Sequence, residues 1–200
     1  MSAPPSPASP AGRPGHPAQT VPPSAAPTPD QLRHALGHFA TGVTVVTGLD
    51  ADGLPVGFAC QSFASVSLDP PLVLFCADHR GRSWLRMRDR GIFSVNVLRH
   101  DQRELVDRFG SSVGRRFEQL DWEPGPHGAP SLPGVLMRIH CAVEAIHVAG
   151  DHDVVIGRVL ALDEGSGGRP MLFYRSRFSV TERASSARDE VPGGWDDYWG

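Results

Sequence analysis

The stretch from residue 135 to residue 145 alternates between two kinds of side chain. Apolar residues occupy every odd position, and Arg138, His140 and Glu144 stand between them. Successive side chains of a β-strand point to opposite faces, so a period of two is the pattern of a strand. We therefore predict a strand with one face in the core and the other in water.

Other apolar and β-branched runs predict further strands, and a turn at residues 50–53 joins the first two into a hairpin. The predicted strands cover residues 43–49, 54–67, 72–77, 92–98 and 154–162, followed by Met171–Tyr174 and Arg177–Val180. Most of these strands are close enough in sequence to be connected as hairpins. This order predicts a mainly β fold, an antiparallel barrel with short helices, rather than a doubly wound sheet.

Three short helices are expected: one before the first strand and two between later strands. The first begins with Thr28 as N-cap, Pro29 at the first helical position and Gln31 at the third, which is a capping-box pattern. This helix carries Leu32, Leu36 and Phe39 at helical spacing. A second helix is expected at residues 83–89, capped by Ser83. A third, capped by Asp101 and Glu104, carries Leu105, Val106 and Phe109.

Composition divides the chain into one domain and two tails. Residues 1–27 consist mainly of Pro, Ala, Ser and Gly, so they are expected to form a disordered tail. Residues 28–181 form the predicted domain, and residues 182–200 a C-terminal tail. A chain of 200 residues can build one ordinary core.

Charge and apolar content exclude several classes of protein. A formal net charge of −3 and scattered arginines argue against nucleic acid as a partner. No run approaches the ~18–20 apolar residues of a membrane helix, and no signal peptide is evident, so a cytoplasmic protein without a membrane partner is expected. Cys60, Cys76 and Cys141 are expected to be free thiols.

Three familiar motifs lack the context that they need. Ser112 lies in a G-x-S-x-G pattern, but a helix precedes it where a nucleophile elbow requires a strand. The glycines at residues 165–168 lack the strand, turn and helix of a dinucleotide fingerprint. His34 and His38 stand four apart without a third ligand, so no metal site is predicted.

Two segments have the chemistry to hold a flat ring and a phosphate. Gly57, Ala59, Cys60 and Ser62 have small side chains that would let a heteroaromatic ring reach the strand backbone. Ser83 follows Arg82 at a predicted strand-to-helix turn, where a hydroxyl, a guanidinium and helix amides together favour a phosphate. Taken alone, the first segment is more typical of a packed strand, and the second of a solvated turn.

A third pair of segments offers a titratable donor and an aromatic group with a cation. His152 follows a turn at Gly150 and Asp151, and Phe173, Tyr174 and Arg175 lie near the carboxyl end. A histidine at a turn is often only exposed. Together, however, the three sets would supply ring contacts, a phosphate clamp and a proton donor.

The chain resembles the flavin-reductase family, which has the FMN-binding split-barrel fold. The resemblance runs from about Leu32 to Val180 and rests on an ordered set of motifs. These are FATGVTVVT at residues 39–47, GFACQSF at 57–63, SLDPPLV at 67–73, FSVNVL at 93–98, GDH at 150–152 and LFYR at 172–175. The CQS variant at residues 60–62 and the WDD tail at 195–197 are similar to reductase components of two-component aromatic hydroxylases, notably those acting on a secosteroid phenol.

The resemblance implies a homodimeric split barrel with the flavin at the subunit interface. It implies an NAD(P)H-dependent flavin reductase of the EC 1.5.1 type, which reduces free FMN or FAD with NADH or NADPH and supplies a separate monooxygenase. Implied flavin contacts are Gly57, Phe58, Ala59, Cys60, Gln61, Ser62, Cys76, Ala77, Asp78, Arg82, Ser83, Arg108 and Phe109. Implied nicotinamide contacts are His152, expected to act in catalysis, and Phe173, Tyr174, Arg175 and Ser176.

Two alternatives share the barrel: a non-catalytic flavin carrier, and an oxidase of the pyridoxamine-phosphate type. The oxidase would need a denser basic cluster for its substrate phosphate than this sequence shows. The choices between FMN and FAD, between NADH and NADPH, and among partner oxygenases and their substrates stay open, as does the role of the N-terminal tail.

Overall fold

The computed structural model describes residues 26–111 and 116–181, and this part of the chain is mainly β with three short α-helices. The helices are α1 (Pro29–Leu36), α2 (Arg82–Met87) and α3 (Arg103–Gly110). The predicted capping box is present on α1, where the Thr28 hydroxyl accepts from the Gln31 backbone and Gln31 accepts from the Thr28 backbone. Residues 1–25 of the predicted N-terminal tail, and the whole predicted tail at residues 182–200, lie outside the described residues.

Seven strands form the main antiparallel sheet, in the order β3-β2-β6-β9-β10-β5-β4. Its strands are β2 (Thr44–Leu49), β3 (Pro55–Cys60), β4 (Ala64–Leu68), β5 (Pro71–Asp78), β6 (Ile92–Val97), β9 (Met137–Ala149) and β10 (His152–Glu164). A second sheet joins β1 (Thr41–Gly42), β11 (Met171–Tyr174) and β12 (Arg177–Val180). A small hairpin consists of β7 (Glu123–Pro124) and β8 (Pro130–Ser131).

The main sheet is strongly curled because its two edge strands are consecutive in the chain. β3 and β4 lie at opposite ends of the strand order, yet only residues 61–63 separate them. A link of three residues cannot cross a flat sheet of seven strands that lie ~4.8 Å apart. The two edges must therefore lie close together. The sequence predicts one strand over residues 54–67, but the structure has two strands there. The first, β3, pairs with β2, and the second, β4, pairs with β5.

One hydrophobic cluster fills the inside of the curled sheet. Phe75 packs edge-to-face against Trp84 and Phe93, with ring centroids 5.5 and 5.2 Å apart. Gly157 makes room for this packing, because a Cβ atom at that position would lie 2.4 Å from the Phe93 ring. α2 covers this cluster through Trp84 and Met87, both 1% exposed.

A second cluster packs on the other side of β2, so that β2 is buried on both faces. Val43, Val45, Leu105, Val106 and Phe109 belong to it, together with Leu98, Leu132, Val135 and Met171. The three predicted apolar residues of α3 are therefore core residues. The apolar residues of the first helix region are not, since Leu32, Leu36 and Phe39 are 47%, 62% and 74% exposed.

Asn96 ties the segment before β9 to the sheet. Its Nδ2 donates to the Val45 carbonyl and to Thr47 Oγ1, both at 3.1 Å, and its Oδ1 accepts from the Leu132 backbone at 2.9 Å. The Thr47 hydroxyl in turn donates to the Pro130 carbonyl. This buried network fixes where the chain crosses the end of the sheet.

Two expected helix caps are wrong, and the expected wet face of β9 is wrong at one residue, His140. Gly81 caps α2 without a side-chain hydrogen bond, and Gln102, equally without one, caps α3. The predicted water-facing side of β9 is covered at His140, which is 0% exposed. The β7–β8 hairpin lies against it, since a Cβ atom at Gly125 would be 2.5 Å from the His140 ring, and Asp163 hydrogen-bonds its Nε2 at 2.8 Å.

Candidate functional site

Ser62 holds the junction between β3 and β4 against β5. Its Oγ accepts from the Cys76 backbone at 2.8 Å and donates to the Cys76 carbonyl at 3.2 Å. The thiol of Cys60 lies 3.3 Å from the same Oγ, and burial raises the pKa of that thiol. The neighbouring Gln61 is exposed and accepts a hydrogen bond from Thr41 at 3.4 Å. The junction therefore presents Gln61 and Ser62 to solvent and keeps Cys60 inside.

The earlier part of β3 faces a helix. A Cβ atom at Gly57 would lie 2.9 Å from the Val46 carbonyl and 3.0 Å from the Phe109 ring, so Gly57 permits α3 to pack on the sheet. Phe109 is 1% exposed. Phe58 packs against the first core cluster, and Ala59 against the second. Within this segment, a ligand can be contacted most directly at Gln61 and Ser62.

Arg116 contacts the buried Ser83 hydroxyl, and Arg82 and Arg86 lie near Arg116; we call these three arginines the arginine cluster. Arg116 donates to Ser83 Oγ and, at 3.3 Å, to the Ser111 carbonyl. Burial, with Arg82 and Arg86 nearby, lowers the pKa of Arg116. Arg86 pairs with Asp50, whose pKa this contact lowers. A site that gathers like charges in this way favours an anion.

Arg116 Nε adds a more specific observation: it is buried, and within residues 26–111 and 116–181 it has no hydrogen-bond partner. A buried, unpaired N–H is costly unless a ligand accepts from it. Arg116 was not identified from the sequence. It lies in a loop region without strand or helix periodicity, and only the folded chain brings it to Ser83.

The acidic side chain at the end of β5, Asp78, is neutralised by an arginine in the following loop. Asp78 forms an ion pair with Arg80 at 2.8 Å and accepts from the Arg80 backbone at 2.8 Å. These bonds hold the pKa of the Asp78 carboxyl far below its ordinary value. His152 pairs with Asp78 in the strand register, and its Nδ1 lies 2.7 Å from the exposed Asp151 carboxylate.

His79 is a second ordered histidine in this region, and sequence reasoning did not single it out. Its Nε2 lies 2.8 Å from Asp153 Oδ1, while the other oxygen of that carboxylate accepts from Trp84 at 2.9 Å. Asp153 is 4% exposed. The hydrogen bonds from Trp84 and His79 lower its pKa. The network links the loop, α2 and β10.

An apolar cleft of about 760 Å³ brings the junction and the carboxyl-terminal segment together. Gln61, Ser62 and Phe63 line it from one side, and Phe173 and Ser176 from the other. Leu36, Phe39 and Thr41 also line it and were missed in the sequence. Arg175 and Ser176 have φ values of 47° and 61° in the turn between β11 and β12, and the Arg175 backbone donates to the Gly37 carbonyl at 2.9 Å.

Several predicted contact residues lie elsewhere in the described part of the chain. Arg108 pairs with Glu104 at 2.8 Å and donates to the Glu118 carbonyl at 2.9 Å. Tyr174 and Arg175 are exposed but do not line the apolar cleft, and neither does His152. Cys76 and Ala77 lie in β5, with Ala77 in the core.

Within residues 26–111 and 116–181, no three His, Cys, Asp or Glu side chains converge in a way that could hold a metal ion. None of the helices described is long and apolar enough to cross a membrane. Ser112 lies outside the described residues. The three cysteines are free: Cys60 and Cys141 are buried and Cys76 is half-buried.

Comparison with known families decides the assignment. Residues 36–182 match the model of the flavin reductase like domain, which is well over half of the chain. The chain belongs to the flavin reductase family. The sequence of this flavin reductase is 47% identical over 169 residues to that of the flavin-dependent monooxygenase reductase subunit HsaB of Rhodococcus jostii (strain RHA1). The alignment covers 84% of each chain.

Solved structures of flavin reductases and related proteins have the same fold. The nitrilotriacetate monooxygenase component B homolog from Mycobacterium thermoresistibile aligns with a TM-score of 0.76 and 43% identity, over 84% of this chain and 93% of that one. The NADH:FAD oxidoreductase SgcE6 of Streptomyces globisporus C-1027, in complex with NAD and FAD fragments, aligns with a TM-score of 0.75 and 33% identity. That alignment covers 84% of this flavin reductase and 100% of SgcE6.

Proposed function

We propose that this flavin reductase transfers a hydride from NADH or NADPH to free FMN or FAD and supplies the reduced flavin to a separate monooxygenase. The observation that carries the proposal is the apolar cleft, where the β3–β4 junction and the β11–β12 turn meet although they are far apart in sequence. HsaB is named as the reductase subunit of a monooxygenase, and this similarity supports an oxygenase partner acting on an aromatic or secosteroid substrate.

The flavin ring is proposed to lie along the β3–β4 junction, with its phosphate at the arginine cluster. The proposed ring contacts are Gly57, Phe58, Ala59, Cys60, Gln61, Ser62, Cys76, Ala77 and Asp78, with Arg108 and Phe109 alongside. Arg82, Ser83 and Arg116 are proposed to bind the phosphate. Arg116 supports this fit, because its buried Nε has no partner among the described residues and the nearby guanidinium groups favour an anion.

The nicotinamide is proposed to bind between His152 and the segment from Phe173 to Ser176. When bound, the flavin supplies the hydride-accepting chemistry. The chain's own residues orient the two rings and exclude water: Phe39, Phe63 and Phe173 give the cleft apolar walls. His152, whose Nδ1 contacts Asp151, presents its other ring nitrogen as a donor or acceptor toward the nicotinamide.

A closed split barrel and a homodimer with the flavin between subunits are also proposed. The Ser62–Cys76 hydrogen bonds support closure, because they join the β3–β4 junction to β5. Six large apolar side chains on β4, β9 and β10 support a partner surface: Val66 46%, Leu68 84%, Ile146 42%, Val148 77%, Leu160 40% and Leu162 60% exposed. A cytoplasmic location is proposed, where reduced nicotinamide is supplied.

The proposed activity is tested by anaerobic mixing of the protein with a tenfold or larger molar excess of flavin over protein and with NADH at least equal to the flavin. A catalyst bleaches the whole excess of flavin through many turnovers, as followed by its visible absorbance. A carrier without catalytic activity binds flavin but leaves the excess oxidised. Bleaching no faster than in protein-free solution would contradict the proposal.

A further inference from the structure

The ring of Phe173, one wall of the apolar cleft, belongs to a stack of side chains that continues away from the cleft. Phe173 and Phe178 are partners across β11 and β12, and their rings meet edge-to-face with centroids 5.1 Å apart. The guanidinium of Arg103 lies over the Phe178 ring, 4.0 Å from its centroid. Of these three side chains, only Phe173 lines the cleft. The stack therefore runs from α3, through Phe178, to the cleft wall.

The backbone at Phe173 is fixed on both sides, which leaves the orientation of its side chain as the remaining freedom. β11 is the middle strand of its sheet, and Phe173 pairs with Thr41 on one side and Phe178 on the other. An aromatic ring on a fixed backbone can still change rotamer, and an edge-to-face neighbour favours one arrangement. A wall that is already oriented lowers the cost of ordering when a transient ligand binds.

Arg103 stands on a helix that also contacts the proposed flavin strand. α3 begins at Arg103, and Phe109 near its other end packs where β3 has Gly57. Between them, Leu105 and Val106 anchor the helix in the second cluster. Six residues of helix span only ~9 Å. One short, anchored element thus connects the aromatic stack to the strand along which the flavin ring is proposed to lie.

The contact with the Phe178 ring is the specific interaction of the Arg103 side chain. Its Nε also pairs with Asp107 at 3.0 Å, but the two side chains are 57% and 60% exposed, and ion pairs in water contribute little. A cation over an aromatic face is attracted by the ring quadrupole, and this attraction depends on the position of the ring. Arg103 can therefore hold Phe178 in place, which a neutral side chain would do less well.

We propose that Arg103 and Phe178 are positioning residues of the nicotinamide site. Arg103 holds the Phe178 ring, and Phe178 holds the Phe173 ring in the orientation against which the nicotinamide packs. The inference rests on the proposed function, since it concerns the nicotinamide side of the proposed site. Hydride transfer requires reacting atoms about 3–3.5 Å apart, so a small displacement of the cleft wall matters.

Equilibrium titration with NAD⁺ measures the effect on binding without turnover. The full-length protein is saturated with oxidised FMN, which NAD⁺ cannot reduce, and binding is followed by the visible absorbance of the flavin. Arg103→Met is expected to raise the Kd for NAD⁺ about two- to fivefold, as loss of an exposed cation–π contact would, and to leave the Kd for FMN unchanged. Arg103→Lys keeps a cation and should restore most of the affinity. Arg90→Met, at an exposed arginine just after α2, is the control and should match the unmodified protein.

A double-substitution cycle tests whether Arg103 acts through Phe178. Phe178→Leu keeps an apolar side chain but removes the ring, and it is expected to weaken NAD⁺ binding about two- to tenfold. Once the ring is gone, Arg103→Met should have no further effect on NAD⁺ affinity or on the rate constant of FMN reduction by NADH. Effects of the two substitutions that simply multiply would overturn the coupling.

Other outcomes would overturn the positioning role of Arg103. These are an unchanged NAD⁺ affinity in Arg103→Met, an Arg103→Lys variant no better than Arg103→Met, and a parallel loss of FMN affinity, which would indicate a general structural role. The failure of the proposed function is different. If the unmodified protein neither binds NAD⁺ nor speeds flavin reduction by NADH, both are wrong. If it reduces FMN through many turnovers and Arg103→Met binds NAD⁺ equally well, the reductase stands and the positioning role is overturned.

Discussion

His79 and His152 lie near each other, and each contacts an aspartate carboxylate. The carboxylate at His79 is buried, and the one at His152 is exposed. His79 contacts the buried Asp153, which Trp84 also binds, so its ring is fixed as part of the packing between the loop and α2. His152 contacts Asp151, whose side chain is 78% exposed. The ring of His152 is thus oriented and still accessible, which is what a residue that meets a transient ligand requires.

His152→Ala is expected to slow hydride transfer by roughly ten- to hundredfold while flavin affinity changes no more than a few-fold. The reason is that a hydrogen bond to the nicotinamide contributes about 1–3 kcal/mol. Stopped-flow flavin reduction and flavin titration measure the two quantities separately. His147→Ala, an exposed histidine on β9, is the control. If flavin binding falls as much as the rate, His152 belongs to the flavin site.

The sequence indicated some residues of the candidate site and could not indicate others. Ser62, Ser83 and Phe173 belong to motifs with local meaning: a strand of small residues, a turn beside arginines, an aromatic run. Arg116 and Asp153 carry no such local signal. They matter because the fold brings them to Ser83 and His79, and contacts between distant segments cannot be deduced from spacing.

The strands show where periodicity predicts an element and where it fails. The predicted strand at residues 135–145 is confirmed from residue 137 onward as part of β9, which pairs antiparallel with β6 and β10. The division between β3 and β4 was missed because residues 61–63 remain compatible with a strand. Covering of His140 by the β7–β8 hairpin was also missed, since a short hairpin in a loop region has no periodic signal.

Asn96→Ala is expected to destabilise the protein by about 3 kcal/mol. It removes hydrogen bonds to Val45, Thr47 and Leu132, and it leaves the buried Leu132 amide without its acceptor. In a domain of this size the loss corresponds to a fall in melting temperature of roughly 6–12 °C. Ser65→Ala, an exposed residue of β4, should change the melting temperature little. A similar small change for Asn96→Ala would show that the network does not hold the end of the sheet.

For the whole molecule, the exposed apolar side chains on β4, β9 and β10 are the feature that a monomer leaves unexplained. Leu68→Glu and Val148→Glu are each expected to convert the dimer into monomers. Flavin affinity should fall as the dimer dissociates, because the proposed flavin site lies between subunits. Light scattering combined with flavin titration measures both. Leu54→Glu, at an exposed turn residue outside these strands, is the control. An active monomer in the unmodified protein would contradict the dimer.

The central claim is that flavin is a substrate that leaves once reduced, and that oxygenation takes place on another protein. The most direct measurement is the NADH oxidation rate of extensively dialysed protein as free flavin is added. The rate is expected to start near zero, to rise with flavin and to saturate, without hydroxylation of a phenolic or secosteroid substrate by this chain alone. A stoichiometric flavin that survives dialysis, with turnover indifferent to added flavin, would contradict the account.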